Sequence, residues 1–348
     1  MANSRSDRPA IPRFGLIGCG RIGSLYDEGA PDGPALSVAG ALTRSPWAEL
    51  AAVCDADPAR ARTCAEIRGV AACFSNYREM LATENLDAIA ICTPPSHRPD
   101  IVEAALENGV RLIWCEKPVA ASLDEARAIE RLIADRNIVF AVNYLRRWAP
   151  VTARLASLIQ TGELGPAQSA TLTYCKGIAN NGSHFIDLMT HFFGVPRTAT
   201  ALRQLNDGRE ASDPTLDAVI TFQGSAGAFP FRLIALDHRN FTVCELDIVL
   251  AKGRIKLLDG GDVVEIFRTA PDPVVPGYTT LSLAERHAHA LDDTLERTVE
   301  QVVRVYHGEE NAPLCGITDG ISALHAVDCL LRSWDLHGAP VSTSPISG

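Results

Sequence analysis

The sequence predicts an α/β protein. A doubly wound parallel sheet spans residues 14–145, and a second α/β unit over 146–338 is built on a large, mostly antiparallel open sheet. Three observations predict it. Apolar runs alternate with helix-like segments through the first half. A glycine cluster, Gly18-Cys19-Gly20-Arg21-Ile22-Gly23, directly follows the first apolar run. From about Val151 the pattern changes to alternating, β-rich runs joined by short glycine-bearing turns.

In chain order, residues 1–13 are polar and proline-bearing and read as a loose tail without the apolar core of a signal peptide. Phe14–Ile17 is the first strand, and the glycine cluster opens a helix behind it. Glu49–Cys54 is the second strand. Pro58 starts a helix through Arg68, as proline at a first turn does. Val70–Phe74 is a short strand and Tyr77–Thr83 a short helix. Leu86–Cys92 is a continuous apolar strand of the kind buried on both faces. A helix over Arg98–Asn108 stops at Gly109. The strand Val110–Cys115, the helix Ser122–Arg136 and the strand Ile138–Val142 complete the alternation.

The glycine cluster has the spacing of a dinucleotide fingerprint. Gly18 permits the tight turn, Gly20 lets a pyrophosphate approach bare backbone, and Gly23 lets helix and strand pack closely. Arg21 and Ile22 lie between them in the same turn. Asp55 ends the second strand, where a carboxylate accepts from both adenosine ribose hydroxyls and repels a 2′-phosphate. This favours NAD over NADP. Asp55 comes later than usual because the glycine- and proline-rich segment Tyr26–Ser37 reads as an insert in the first crossover, either a surface elaboration or a flap over ligand.

Three unusual segments fall at carboxyl ends of strands, where open α/β sheets bind ligands. They are Thr93-Pro94-Pro95-Ser96-His97, Glu116-Lys117-Pro118 and Asn143-Tyr144-Leu145-Arg146-Arg147-Trp148. Pro118 pushes Lys117 out of the helical region. A lysine held there can donate a hydrogen bond or a proton to a carbonyl or alcohol oxygen.

Together with Asn181-Gly182-Ser183-His184-Phe185-Ile186-Asp187-Leu188, these motifs resemble the Gfo/Idh/MocA family of oxidoreductases, from Arg13 to about Gly338. The resemblance implies a Rossmann domain followed by a domain with a large, mostly antiparallel sheet. It implies hydride transfer between a nicotinamide and an oxygen-bearing carbon of a sugar or cyclitol. It makes Lys117 catalytic and substrate-positioning, with a Lys–Pro bond that is often cis. It also makes His184 the acid/base and places Thr93, Pro94, His97, Glu116 and Lys117 at the cofactor. The family's usual aspartate, four residues before the histidine, is Asn180 here. Asparagine bonds to substrate but cannot act as a carboxylate base.

In the second half, Val151–Thr161 reads as a helix. Ser169–Tyr174, Thr198–Leu205, Leu216–Phe222, Phe229–Leu236, Cys244–Leu250 and Val263–Phe267 read as strands. Helices over Thr280–Tyr306 and Ile317–His337 close the chain and are able to pack back on the first domain. Ser183 is placed to cap a helix beginning at His184, which brings His184, Asp187 and His191 to neighbouring positions. From the residues alone these form a polar stripe, a metal site without further ligands, or an imidazole facing the cofactor. Asp187 reads as a substrate contact or as support for its helix. Lys176 and Arg146 present charge to a substrate or to solvent, and Tyr144 stacks on a sugar ring or packs internally. His287 and His289 read as helix-face residues rather than ligands.

With 348 residues the chain is long enough for two cores. Its net charge of −10 argues against a nucleic-acid partner, and no apolar run reaches membrane-spanning length. The ten cysteines are scattered singly, which predicts a reducing, cytoplasmic setting. A sheet covered by helices on one face predicts a homodimer or homotetramer. The expected function is NAD-dependent hydride transfer to or from a polyhydroxylated small molecule, with Lys117 and His184 acting on one carbon–oxygen bond. The alternative is a non-catalytic dinucleotide sensor of the same fold.

Overall fold

The computed structural model of the protein describes residues 10–27, 33–207 and 212–344. The chain divides into two units, 1–144 with 293–320, and 145–292 with 321–348. The expected tail over 1–13 lies outside the described residues up to position 9, and Arg13 already belongs to a strand.

The first unit runs β1 (Arg13–Ile17), α1 (Val38–Arg44), β2 (Glu49–Cys54), α2 (Pro58–Arg68), β3 (Ala72–Phe74), α3 (Tyr77–Thr83), β4 (Ala88–Ile91), α4 (Arg98–Glu107), β5 (Leu112–Cys115), α5 (Leu123–Ile133) and β6 (Val139–Val142). Its six strands are parallel in the order β3-β2-β1-β4-β5-β6. The sequence reverses direction across the sheet between β1 and β4, and the loops at that switch point form the crevice where such sheets bind ligands. Strands β4 and β5 are buried at every position, as their unbroken apolar sequences require.

The helix expected directly after the glycine cluster is split. Ser24 N–H donates to the Gly20 carbonyl at 2.9 Å, and a 3-10 turn over Leu25–Asp27 then carries the chain off the α-helical path. It returns at Val38, whose N–H donates to the Ile22 carbonyl at 2.9 Å, while Ala39 N–H donates to that of Gly23 at 2.9 Å. Val38 thus stands where residue 26 would stand in an uninterrupted helix, and residues 26–37 are a detour. The buried Asp27 closes it. Its carboxylate accepts from Leu36 N–H at 2.6 Å, Ser37 N–H at 3.2 Å, Ser37 Oγ at 2.6 Å and Arg68 Nη2 at 3.3 Å. Ser37 in turn caps α1 through Gly40 N–H. The tip of the expected flap, 28–32, lies outside the described residues.

The second unit contains α6 (Pro150–Gln160), β7 (Ala167–Tyr174), α7 (Ser183–Phe193), β8 (Thr198–Leu205), β9 (Thr215–Gly224), β10 (Gly227–Ala235), β11 (Cys244–Leu250), β12 (Gly253–Leu258), β13 (Val263–Pro271) and β14 (Thr279–His287). The helix α8 (Thr294–Tyr306) belongs to the first unit and packs on α1, β5 and β6. The helix α9 (Ile317–Asp335) starts in the first unit and continues in the second, and β15 (Val341–Ser342) is the last element.

Nine strands form one sheet in the order β14-β13-β12-β11-β7-β10-β9-β8-β15. All pairs are antiparallel except β7 with β10. Burial alternates residue by residue along β11 and β12, so each strand has a core face and an outer face. The core face carries Leu172, Phe222, Phe231 and Ile248 against Leu155, Phe185, Leu188 and Met189 of α6 and α7. The outer face leaves Leu202, Ile234, Leu281 and Leu283 exposed.

Two corrections concern this unit. The helix expected over Thr280–Tyr306 is the edge strand β14 followed by α8. Thr279 and Thr280 favour extended backbone, and β13 supplies the ladder. His287 therefore ends a strand and His289 sits in a left-handed turn (φ 56°), so neither is a helix-face residue. Strand β12 was not expected, because Gly253 and Lys256 obscure its short alternation.

Candidate active site

The glycine turn is shaped by close backbone packing at its first and third glycines. Gly18 has φ +99°, and a Cβ there would lie 2.7 Å from the Cys92 carbonyl carbon. A Cβ on Gly23 would lie 2.0 Å from the Gly18 carbonyl oxygen, so the third glycine is fixed by packing. At Gly20 a Cβ would meet nothing within 4 Å, which leaves an open approach to bare backbone of the kind a pyrophosphate needs. Arg21 is exposed and Ile22 half-buried beside it.

Asp55 stands at the end of β2, half-buried. Its Oδ2 accepts from Cys19 N–H at 2.8 Å and its Oδ1 from Asp57 N–H at 2.9 Å. The carboxylate is thereby aimed beside the glycine turn, and each oxygen keeps acceptor capacity for a hydroxyl. These groups fit the adenosine and pyrophosphate portions of a dinucleotide. Nearby, the hydrogen bond with Cys64 and burial push the Cys19 thiol above its usual range, so it is a packing group rather than a nucleophile.

The rim next to the switch point comes from the ends of β4, β5 and β6. Thr93 is half-buried, Pro94 and His97 are exposed, and His97 closes a short turn before α4. The Lys117–Pro118 bond is cis. Lys117 is half-buried, and its N–H donates to Glu116 Oε2 at 3.1 Å. Glu116 is buried, and its Oε1 accepts from the Asn143 amide of the neighbouring strand end. Burial raises the Glu116 pKa, partly opposed by Asn143, Lys117 and Arg98. Tyr144 closes this rim and is buried.

Sequence reasoning missed Arg98. It is buried at the start of α4 and spends its guanidinium on the carbonyls of Thr93, Glu116 and Pro118. Its acceptors are backbone atoms from two loops, which no local pattern signals.

The second unit builds its polar cluster on a distorted turn. Residues Gly177–Gly182 form one turn of π-helix that runs directly into α7. Such turns are rare and recur at functional sites. Lys176 enters it in the left-handed conformation (φ 66°) and is half-buried. Gly177 follows at φ +87°, where a Cβ would fall 2.2 Å from an Asp213 carboxylate oxygen. Asp213 Oδ1 accepts from Ala179 N–H at 2.7 Å, and Thr215 Oγ1 accepts from Gly177 N–H at 3.1 Å. Asn180 is exposed on this turn, and His184 is half-buried on the first turn of α7.

Ser183 does not cap α7. The helix continues from the π-turn, and the Ser183 hydroxyl donates to the Ala179 carbonyl at 2.6 Å. Of the expected polar stripe, Asp187 is buried and holds Arg147, and Arg147 Nη1 lies 2.7 Å from His191 Nδ1. Among the described residues, no cluster of three or more potential ligands is placed to hold a metal ion. Arg146, by contrast, is half-buried. Its guanidinium lies 4.7 Å from the Phe185 ring centroid, and Nε donates to the Gly260 carbonyl.

Residues 12–144 match the model of an oxidoreductase family with an NAD-binding Rossmann fold, Gfo/Idh/MocA. An inositol 2-dehydrogenase of Rhizobium meliloti is 30% identical over 193 residues, 53% of this chain and 54% of that protein. A D-xylose 1-dehydrogenase (NADP(+)) of Haloferax volcanii is 34% identical over 126 residues, 36% of this chain and 38% of that protein. The aligned region of this chain spans about half the length, or less, of these relatives. An inositol dehydrogenase homologue from Azotobacter vinelandii, solved with NADH and myo-inositol, has the same fold, with a TM-score of 0.75 at 17% identity over 95% of this chain and 97% of that one. Among the described residues, no helix is long and apolar enough to cross a membrane. The parallel sheet, its glycine turn and the matched sequence agree: residues 12–144 form an NAD-binding Rossmann domain of the Gfo/Idh/MocA oxidoreductase family.

Proposed function

We propose that the protein is an NAD-dependent dehydrogenase acting on a secondary alcohol, or the matching ketone, of a sugar, nucleotide-sugar or cyclitol. The observation that carries this reading is Lys117 at the strand-end rim of a sheet whose glycine turn has the open backbone a pyrophosphate requires. The names of the inositol and xylose dehydrogenases among its relatives support the substrate class.

When bound, NAD supplies the hydride acceptor. Gly18, Gly20, Arg21, Ile22 and Gly23 hold its pyrophosphate, Asp55 its ribose hydroxyls, and Thr93, Pro94, His97 and Glu116 line its approach. The carboxylate of Asp55 favours NAD over NADP. Lys117 Nζ donates a hydrogen bond to the reacting oxygen and lowers the effective pKa of the alcohol. His184 accepts the hydroxyl proton during oxidation and returns it during reduction. Asn180 orients the substrate or the imidazole without serving as a base. Arg146 and Lys176 contact the remaining hydroxyls, Tyr144 packs behind the rim, and Asp187 serves the site by fixing Arg147.

The test is stopped-flow absorbance of reduced nicotinamide with NAD and a panel of myo-inositol, D-xylose, D-glucose and a nucleotide-sugar. Reduction of NAD by at least one polyol is expected. A protein that binds NADH but oxidises none of them would be a sensor, and the reading would be lost. The scattered cysteines, none joined by a disulfide among the described residues, support a reducing, cytoplasmic setting. The exposed Leu202, Ile234, Leu281 and Leu283 support pairing of this sheet face with a second copy. Sedimentation as a monomer at micromolar concentration would remove that part.

A further inference from the structure

Arg98 is a buried cation that the reaction just described does not use. The ladder between β4 and β5 ends where Glu116 N–H donates to the Ile91 carbonyl at 2.9 Å. Beyond that point the two chains separate into the loops that carry Thr93 and Lys117. Carbonyls at such an end have lost their strand partners and need donors. Arg98 supplies them. Its Nε and Nη2 both reach the Thr93 carbonyl, at 3.2 and 2.7 Å, and its Nη1 donates to the carbonyls of Glu116 and Pro118. Glu116 and Pro118 are the residues on either side of Lys117, so one guanidinium grips the backbone before and after it. The same group ties that backbone to the neighbouring loop.

We propose that Arg98 is a positioning residue. Its planar fork fixes the direction in which Lys117 leaves the rim and couples that direction to the Thr93 loop. A planar fork with five N–H groups can serve three carbonyls at once, whereas an ammonium at the end of a flexible stem cannot hold the same directions. None of the three acceptors lies within α4 itself, which separates this role from stabilisation of that helix. The importance of the direction rests on the reading of Lys117 as the donor to the reacting oxygen. Misplacing such a group by an ångström is enough to lower turnover about 100-fold.

The lysines of the chain are Lys117, Lys176, Lys252 and Lys256, which makes a direct probe practical. The full chain is reductively methylated with 13C-formaldehyde, and the Lys117 dimethylamino resonance is assigned with Lys117→Arg. In Arg98→Met that resonance is expected to move and broaden while those of Lys176, Lys252 and Lys256 stay in place. In Arg98→Lys it moves less in the same direction. A Lys117 resonance unchanged in Arg98→Met overturns the proposal. So does a joint displacement of all four lysines, which marks a general loosening. If Arg98→Met does not fold, Arg98→Lys decides the question by the same criterion. Full turnover by Lys117→Met would instead remove the catalytic reading and leave the spectral result standing, so the two failures are distinguishable.

Discussion

Arg147 and Asp187 form a two-point ion pair inside the second unit, with Nε to Oδ2 at 2.8 Å and Nη2 to Oδ1 at 2.9 Å. Both side chains are almost fully buried, at 3% and 1% exposure. Taking two charges from water offsets much of their attraction, but breaking the pair strands one charge in the interior. Asp187→Ala is therefore expected to destabilise the fold by about 3–5 kcal/mol, measured by urea denaturation. Replacing both partners, as Arg147→Met with Asp187→Leu, should recover most of that loss. A single-variant loss under about 1 kcal/mol would show that Asp187 does not support its helix in this way.

Asp55 is expected to govern the choice of cofactor. Asp55→Ala removes an acceptor for the ribose hydroxyls and the repulsion of a 2′-phosphate together. The ratio of kcat/KM for NADP to that for NAD should rise by about tenfold or more, the size of one charge-assisted contact. An unchanged ratio would place cofactor discrimination elsewhere.

Glu116 links stability to pH in the direction opposite to most carboxylates. Burial holds its folded-state pKa above the ordinary 4.5. Below that ordinary value both folded and unfolded chains hold the proton, and the group is neutral to stability. As pH rises from there through the raised folded-state value, the unfolded chain ionises first and the fold loses stability. Glu116→Gln lacks this loss. The difference in Tm, variant minus parent, should therefore be more positive at pH 8 than at pH 4. A difference that is constant, or that falls with pH, would mean that burial does not raise the pKa of this carboxyl.

The legible parts of the sequence were those whose cause is local. Gly18 and Gly23 answer local backbone demands, a positive φ and a close approach to the Gly18 carbonyl, and both appear in the structure. The insert 26–37 was visible in its glycines and prolines. That its ends are stitched into one helix was not, because the Val38-to-Ile22 bond depends on Asp27 folding the detour back on itself. Residues 279–287 read as a helix because an exposed edge strand carries little apolar alternation, and only pairing with β13 fixes it. Ser183 had the composition of a cap, but the π-turn before it already continues the helix. Arg98 and the Arg147–Asp187 pair were hidden for one reason: their partners are 5 to 40 residues away and become neighbours only through the fold.

The most direct test of the account is the kinetic comparison of Lys117→Met with the parent chain, on whichever panel polyol the parent oxidises, alongside NADH affinity by fluorescence titration. General acid–base and hydrogen-bonding groups of this kind contribute about 100- to 10,000-fold. In Lys117→Met, kcat is expected to fall by about that much while the Kd for NADH stays nearly unchanged. Turnover at the parent rate, with NADH still bound, would contradict it.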